Sequence, residues 1–291
     1  MHFEPIQLER QDAYLKHLSQ INPIASDYSF INIWGWGDEY GLEWAWQDGL
    51  VWIRQQLPQP AIWAPVGDWR AVDWPTALKK AGAEAEFIIR VPQPLISILM
   101  ETNALATDPE ETRDHWDYLY SIEELVALKG NRFHKKKNLL NQFIKSYDYD
   151  YMPFGPQMID QAMAMQEDWC AWRDCESNDT LASENKAIAR VLDAWDQLHG
   201  ITGGALQVNE VMAAYTIAEK MPDNSLVIHF EKGCPDFKGS YQAINQMFLD
   251  NAPEGPTLVN REQDIGDEGL RKAKLSYHPV DFIKKYQIAI Y

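Results

Sequence analysis

The sequence predicts an α/β protein with mixed sheets, built as two tandem copies of one α/β unit. Three observations carry this. The order hairpin, strand, helix, strand, helix occurs twice along the chain. The two hairpin turns, Asp48-Gly49 and Asn209-Glu210, lie 161 residues apart. The 291 residues also suit two domains at roughly 150 residues each.

The elements follow from local pattern. Residues 2–7 read as a short strand. Residues 9–18 have helical spacing with Tyr14, Leu15 and Leu18 on the apolar side, and Asn22-Pro23 ends that run. Residues 27–36 form a second short apolar segment. Asp48-Gly49 between alternating apolar residues predicts a hairpin over 41–56. A strand at 61–66, a helix at 74–80, a strand at 86–91 and a helix at 94–101 complete the first unit. Acidic, turn-rich residues 108–117 mark the boundary, giving domains 1–115 and 116–291.

The second domain opens on a basic helix, 121–145. Ser121 and Glu124 have the spacing of a capping box. Residues 148–154 read as a strand, 158–172 and 183–198 as helices. A second hairpin covers 205–217. A strand at 225–231, a helix at 239–249, a strand at 257–259, a helix at 267–276 and a final strand region at 282–291 follow. Pro279 stops the last helix.

Composition narrows the function. With 46% hydrophobic residues the chain can bury substantial cores. Eight of its 12 Trp fall before residue 75, which reads as aromatic core. The formal charge is −17, with 18 acidic and 8 basic residues up to residue 120. So acidic a chain should not bind duplex DNA, because phosphate contacts need a positive surface. Three cysteines without paired spacing argue against a disulfide framework or a zinc site and fit a reducing compartment. No apolar run approaches the ~20 residues of a membrane span, so a soluble, cytoplasmic protein without a transmembrane segment is expected.

Residues 260–279 concentrate the charged chemistry, with ten of 20 residues ionisable. They sit where a strand becomes a helix, and α/β sheets place ligands at strand carboxyl ends. Within them Asn260, Glu262 and Asp264 share one face if extended. Arg271 and Lys274 share a helix face, and Tyr277 at the helix end can deliver a proton. Alternation along 225–231 puts His229 and Glu231 on one face of a central strand. Their burial needs partners, for which Arg261, Lys232 and Lys274 are available. The set suits either an acid/base site or an ion pair, Glu231 to Arg261, that fixes the strand ends. A metal held by His229 and Glu231 is the weaker reading, and no metal is expected.

Two further motifs concern anions. Lys238-Gly239-Ser240 precedes a helix, so its backbone N–H groups can cradle a phosphate or simply start the helix. Arg132, Lys135, Lys136 and Lys137, beside Phe133 and His134, form the one dense positive patch. It is a solvated helix face or a contact for RNA or anionic lipid.

The element order resembles the GNAT (N-acetyltransferase) fold. Residues 128–143, 229–232, 239–246 and 260–279 together resemble the bacterial family of the phosphatidylglycerol lysyltransferase carboxy-terminal domain. That resemblance implies tandem GNAT-like domains related to Fem-type aminoacyltransferases, which move an aminoacyl group from aminoacyl-tRNA to an amine or hydroxyl. On this basis His229, Glu231, Arg261, Glu262, Lys274 and Tyr277 are the expected catalytic residues. Asn260, Asp264, Arg271, Lys238, Gly239 and Ser240 are expected to bind substrate. Arg132, Lys135, Lys136 and Lys137 would grip tRNA or another phosphate. The acceptor would be a small molecule, peptide or lipid. The chain lacks both the multi-span membrane domain of full lysyltransferases and the loop that cradles acetyl-CoA pyrophosphate in typical GNAT enzymes. An acyl-CoA donor and a catalytically silent binding module remain the alternatives.

Overall fold

The computed structural model describes residues 1–174 and 178–290. Cys175, one of the three cysteines, and Tyr291, the end of the final strand region, lie outside the described residues. The first strand, β1 (Glu4–Pro5), leads to helices α1 (Gln11–Leu18), α2 (Phe30–Gly35) and α3 (Gly37–Tyr40). The hairpin β2 (Glu43–Gln47) and β3 (Leu50–Gln55) follows, then β4 (Ala61–Gly67), α4 (Trp74–Ala81), β5 (Phe87–Pro92), α5 (Gln93–Glu101) and β6 (Glu110–Glu111). Asp48 and Gly49 both take positive φ, 54° and 77°, which two-residue hairpin turns of this hand require.

The chain continues through β7 (Asp117–Ser121), α6 (Ile122–Ala127), α7 (His134–Ser146), β8 (Tyr149–Pro153), α8 (Ile159–Arg173) and α9 (Asp179–Asp193). Then come β9 (Ile201–Val208), β10 (Val211–Lys220), β11 (Leu226–Gly233), α10 (Ser240–Asp250) and β12 (Leu258–Asn260). The chain ends with α11 (Glu268–Leu275), β13 (Asp281–Ile283) and β14 (Lys285–Ala289). Ser121 caps α6 by accepting from the Glu124 N–H at 3.3 Å, as its spacing predicts.

Two seven-stranded mixed sheets result. One has the order β1-β2-β3-β4-β5-β14-β6, the other β13-β7-β12-β11-β10-β9-β8. The shared plan is visible in the pairing. In each sheet three antiparallel neighbours precede one parallel pair, β4 with β5 and β11 with β12. An antiparallel strand follows in each, β14 beside β5 and β7 beside β12.

The compact units are not contiguous in sequence, unlike the spans 1–115 and 116–291. One comprises residues 1–118, 263–271 and 282–291, the other 119–262 and 272–281. The reason is an exchange of strands. β14, the last strand in the chain, completes the first sheet, and most of β7 lies in the second unit.

In the first unit the core is aromatic, with Trp44, Trp52 and Trp74 almost fully buried. A buried charge cluster joins β14 to this unit. Lys285 is wholly buried and donates to Asp117 Oδ1 at 2.6 Å and to Asp27 Oδ2. Arg90 pairs with the other Asp27 oxygen. The Ser26 N–H donates to Asp117 at 2.7 Å, and Gln263 Nε2 reaches Asp27 at 3.1 Å and Asp117 at 3.2 Å. Burial works to raise the Asp27 carboxyl, but Lys285 and Arg90 hold it well below the usual carboxylate range. Removing one partner from such a cluster strands a buried charge. Lys285→Met should therefore cost about 3–5 kcal/mol in urea denaturation. A loss under about 1 kcal/mol would show that the cluster does not hold β14 in place.

Candidate functional site

In the second unit β11 runs beside β12 for only two paired positions, Leu226 with Val259 and Val227 with Asn260. Beyond Val227 the two strands part, because the chain turns out of β12 after Asn260. The carboxyl-terminal half of β11 thus borders a gap, the kind of place where parallel sheets receive ligands.

Arg261 reaches back across that gap. Its Nη2 donates to Glu231 Oε1 at 2.8 Å, while Asn245 of α10 donates to Glu231 Oε2 at 2.8 Å. The guanidinium lies 4.7 Å from the Tyr277 ring centroid and 5.7 Å from that of Tyr120. Arg261 Nη1 is buried and makes no well-aligned hydrogen bond among the described residues, although the guanidinium lies near enough to the Tyr277 hydroxyl to act on it. Lys274 Nζ donates to the Arg261 carbonyl, and Tyr120 donates to the Lys274 carbonyl at 2.9 Å. Lys136 Nζ also sits 4.0 Å from the Tyr277 ring centroid. Burial, reinforced by Arg261, pushes the Lys136 ammonium below the ordinary lysine value. Burial pushes the Tyr277 hydroxyl up, and Gln242 donates to that hydroxyl at 3.4 Å.

His229 points to the same face but belongs to a different set. Its Nδ1 donates to Glu262 at 2.9 Å and its Nε2 to Glu219 of β10 at 3.3 Å. Burial alone would lower its pKa, yet the hydrogen bonds to Glu219 and Glu262 raise it from 6.5 to about 9. At neutral pH it is an imidazolium clamped by two carboxylates, with no lone pair for a proton. Glu262 takes the left-handed conformation, φ 57°, and its N–H donates to Asn260 Oδ1 at 2.8 Å. Such a backbone persists only where its surroundings fix it, and here the His229 contact does so.

The stretch 260–279 is therefore divided. Asn260, Arg261, Glu262, Lys274 and Tyr277 join His229 and Glu231 in the second unit. Asp264 and Arg271 lie in the first. There the Asp264 carboxylate accepts from Arg271 at 2.7 and 2.9 Å, from Arg113 at 3.1 Å, from Tyr118, and from the Gly266 N–H at 3.0 Å. Although its burial opposes ionisation, these donors lower its pKa to about 2. A carboxylate so fully occupied closes a loop and has no capacity left for a ligand.

The segment Lys238-Gly239-Ser240 also differs from the expectation of an open phosphate cradle. The Lys238 N–H donates to the Tyr147 hydroxyl at 3.1 Å and the Ser240 N–H to the Phe237 carbonyl at 3.0 Å. Gly239 has φ 90°, and a Cβ there would lie 2.3 Å from the Leu139 carbonyl oxygen of α7. The glycine is present because α7 packs against the start of α10. In α7 itself Lys135 and Lys137 are exposed, and Arg132 just before it pairs with Glu124 at 2.5 Å. Lys136 alone turns inward.

Sequence reading missed Asn245, Gln242, Tyr120 and Glu219. Asn245 and Gln242 sit within the motif 239–246, whose polar residues are three apart and thus on one helix side. Tyr120 and Glu219 gave no signal. Lys232, considered as a partner for Glu231, faces the opposite side of β11 and pairs with Glu184 at 2.7 Å. Cys234 is a free thiol and Cys170 is disulfide-bonded, a bridge that the reading against a disulfide framework did not foresee. An odd count permits one bridge with a thiol left over. No helix among the described residues is long and apolar enough to cross a membrane.

Residues 19–289 match the family described as phosphatidylglycerol lysyltransferase, C-terminal. The chain belongs to this family, whose membership supports an acyltransferase-type role. Its two units share one strand order in mixed sheets, as the repeated element order predicts. A conserved protein of unknown function from Bacteroides thetaiotaomicron is 30% identical with a TM-score of 0.91, over 99% of each chain. L-PGS from Bacillus licheniformis shares the fold at 12% identity and a TM-score of 0.67, over 99% of this chain and 92% of that one. An uncharacterised protein of Mycoplasmoides gallisepticum is 26% identical over 175 residues, 60% of this chain. The match spans 56% of that relative's length.

The His229 arrangement has a pH signature. The folded state binds this proton more tightly than the unfolded chain, so the stabilisation is full below pH 6.5 and is lost as pH rises through about 9. The urea midpoint of the wild type should fall across that window, and His229→Gln should flatten the fall. An unchanged slope in the variant would show that His229 is not the titrating group.

Proposed function

We propose that this protein transfers an aminoacyl group from aminoacyl-tRNA to an amine or hydroxyl acceptor at the Arg261 cluster. The observation that carries this reading is Arg261 itself. It is a buried guanidinium fixed by Glu231, with Nη1 left unbonded beside Tyr277. Preorganised donors of this kind act where negative charge develops in acyl transfer. The acceptor nitrogen or oxygen bonds to the ester carbonyl carbon, and Arg261 Nη1 receives the resulting oxyanion. Tyr277, kept protonated by burial, gives its proton to the departing ribose oxygen as the ester C–O bond breaks, and its phenolate takes the acceptor's proton in turn. Lys136, 4.0 Å from the ring centroid, favours that phenolate electrostatically. His229 and Glu262 hold the loop after β12 and move no proton. Lys135, Lys137 and Arg132 offer the exposed charge for the tRNA backbone, and lipid, peptide and small-molecule acceptors all fit this chemistry.

The acyl-CoA alternative is disfavoured because α7 packs on the start of α10 at Gly239 and the Lys238 and Ser240 N–H groups are already bonded within the protein. The silent-module alternative draws on the saturated His229 contacts. A single-turnover assay separates the three. Radiolabelled charged tRNA or a CoA thioester is the donor, and hydroxylamine or phosphatidylglycerol vesicles the acceptor. Charged tRNA should be consumed, and Arg261→Lys should slow transfer by about 10²-fold or more, the usual loss for an oxyanion donor. Consumption of the thioester alone, or indifference to Arg261→Lys, would overturn this reading.

A further inference from the structure

Six tyrosines among the described residues are buried, and five of them donate the hydroxyl hydrogen to an acceptor of the protein. Tyr14 gives it to the Tyr28 carbonyl, Tyr28 to the Arg90 carbonyl, Tyr118 to Asp264, Tyr120 to the Lys274 carbonyl and Tyr215 to Gln166 Oε1. Tyr277 is the exception. It is 7% exposed, and its hydroxyl accepts from Gln242 Nε2 of α10 at 3.4 Å, while no group among the described residues receives its own hydrogen. A hydroxyl this far from solvent normally has its hydrogen bonded, as the other five do.

The cause lies in α10. Gln242, Asn245 and Gln246 are three and four positions apart and share one side of that helix. Each presents its amide NH2 as a donor: Asn245 to Glu231 at 2.8 Å, Gln246 to the Val126 carbonyl at 3.4 Å, and Gln242 to the Tyr277 hydroxyl. A carboxylate and a carbonyl have no hydrogen to give, so they fix the first two amides chemically. A hydroxyl can serve either way, so the direction of the third bond decides where the Tyr277 hydrogen goes. Gln242 donates to this oxygen and the Arg261 guanidinium is close enough to act on it, so the hydrogen turns away from both. Burial raises the Tyr277 hydroxyl, and Arg261 and Gln242 work against that by favouring the phenolate.

We propose that Gln242 is a positioning residue, whose amide N–H holds the Tyr277 oxygen so that the phenolic hydrogen stays available to a bound acyl ester rather than to the protein. The use of that hydrogen rests on the transfer reading above, whereas the direction of the hydrogen bond does not. In the transfer, the Tyr277 O–H bond breaks as its hydrogen goes to the departing ribose oxygen and the ester C–O bond opens. The Gln242 amide then donates to a phenolate, a stronger bond because the acceptor is charged. The hydrogen of the attacking amine or hydroxyl restores the phenol. With Oε1 turned to Tyr277 instead, the amide would hold the hydrogen, and each turnover would first have to break that bond. Hydrogen bonds of this kind are often long in a resting enzyme and tighten towards the transition state.

The direction of one titration shift tests this. Gln242→Met keeps the length of the side chain and removes the amide. The Tyr277 phenol is followed by fluorine NMR in the full chain carrying 3-fluorotyrosine, whose fluorine makes the phenol more acidic and reports its charge, with Tyr277→Phe assigning the signal. Loss of a donor to the phenolate should move the Tyr277 titration to higher pH in Gln242→Met. In single turnover with radiolabelled charged tRNA and hydroxylamine, the same variant should slow transfer about fivefold, the worth of one hydrogen bond, and leave the half-saturating tRNA concentration unchanged. A titration moved to higher pH in a protein that transfers nothing upholds the bond and refutes the transfer reading alone. An unmoved titration, or one moved to lower pH as loss of an acceptor would do, would overturn the proposal, as would transfer by Gln242→Met at the wild-type rate.

Discussion

The second unit is arranged around a buried guanidinium. Arg261 leaves β12 at the point where its ladder with β11 stops, and it binds Glu231 four residues further along β11 than the last paired position. A buried cation is tolerated only with a partner and satisfied surroundings. Glu231 supplies the charge, Asn245 ties Glu231 to α10, and Tyr120 and Tyr277 flank the planar group. Lys274 then fixes the Arg261 carbonyl, which sets where the end of α11 meets the sheet. One ion pair thus connects β11, β12, α10 and α11, yet leaves one nitrogen of the guanidinium unused.

The same strand carries opposite chemistry on its two faces. Glu231 faces a cation and Lys232 faces an anion, one residue apart, because successive side chains in a strand alternate. Both pairs are buried in a chain whose formal charge is −17. The acidic surplus therefore lies outside these pairs. The His229 imidazolium between Glu219 and Glu262 is likewise a cation held by carboxylates.

Local pattern made much of this legible. Alternation placed His229 and Glu231 on one face, the hairpin turns were fixed by their residue types, and Ser121 was readable as a cap. The ion pair of Glu231 with Arg261 was one of two stated possibilities, and the structure contains it. Long-range pairing was not legible. Lys285 finds Asp27 across 258 residues, and Lys232 finds Glu184 across 48. No periodicity encodes such partners. The stretch 260–279 looked continuous because its charges are dense, but Asp264 is saturated by Arg113 and Arg271 in the other unit. The inward turn of Lys136 depends on the aromatic ring it meets, and helix spacing cannot report that. The exchange of β7 and β14 was hidden for a similar reason, since strand order in the chain does not dictate which sheet receives the last strand.

The central claim is that Arg261 Nη1 is held ready for the carbonyl oxygen of an acyl group. The most direct measurement is a crystal structure of the protein with a hydrolysis-resistant aminoacyl-nucleoside, in which an amide replaces the ester. The account predicts the amide carbonyl oxygen within hydrogen-bonding distance of Arg261 Nη1, about 3 Å, with the Glu231–Arg261 pair intact. A compound bound elsewhere, or bound with Arg261 untouched, would contradict it.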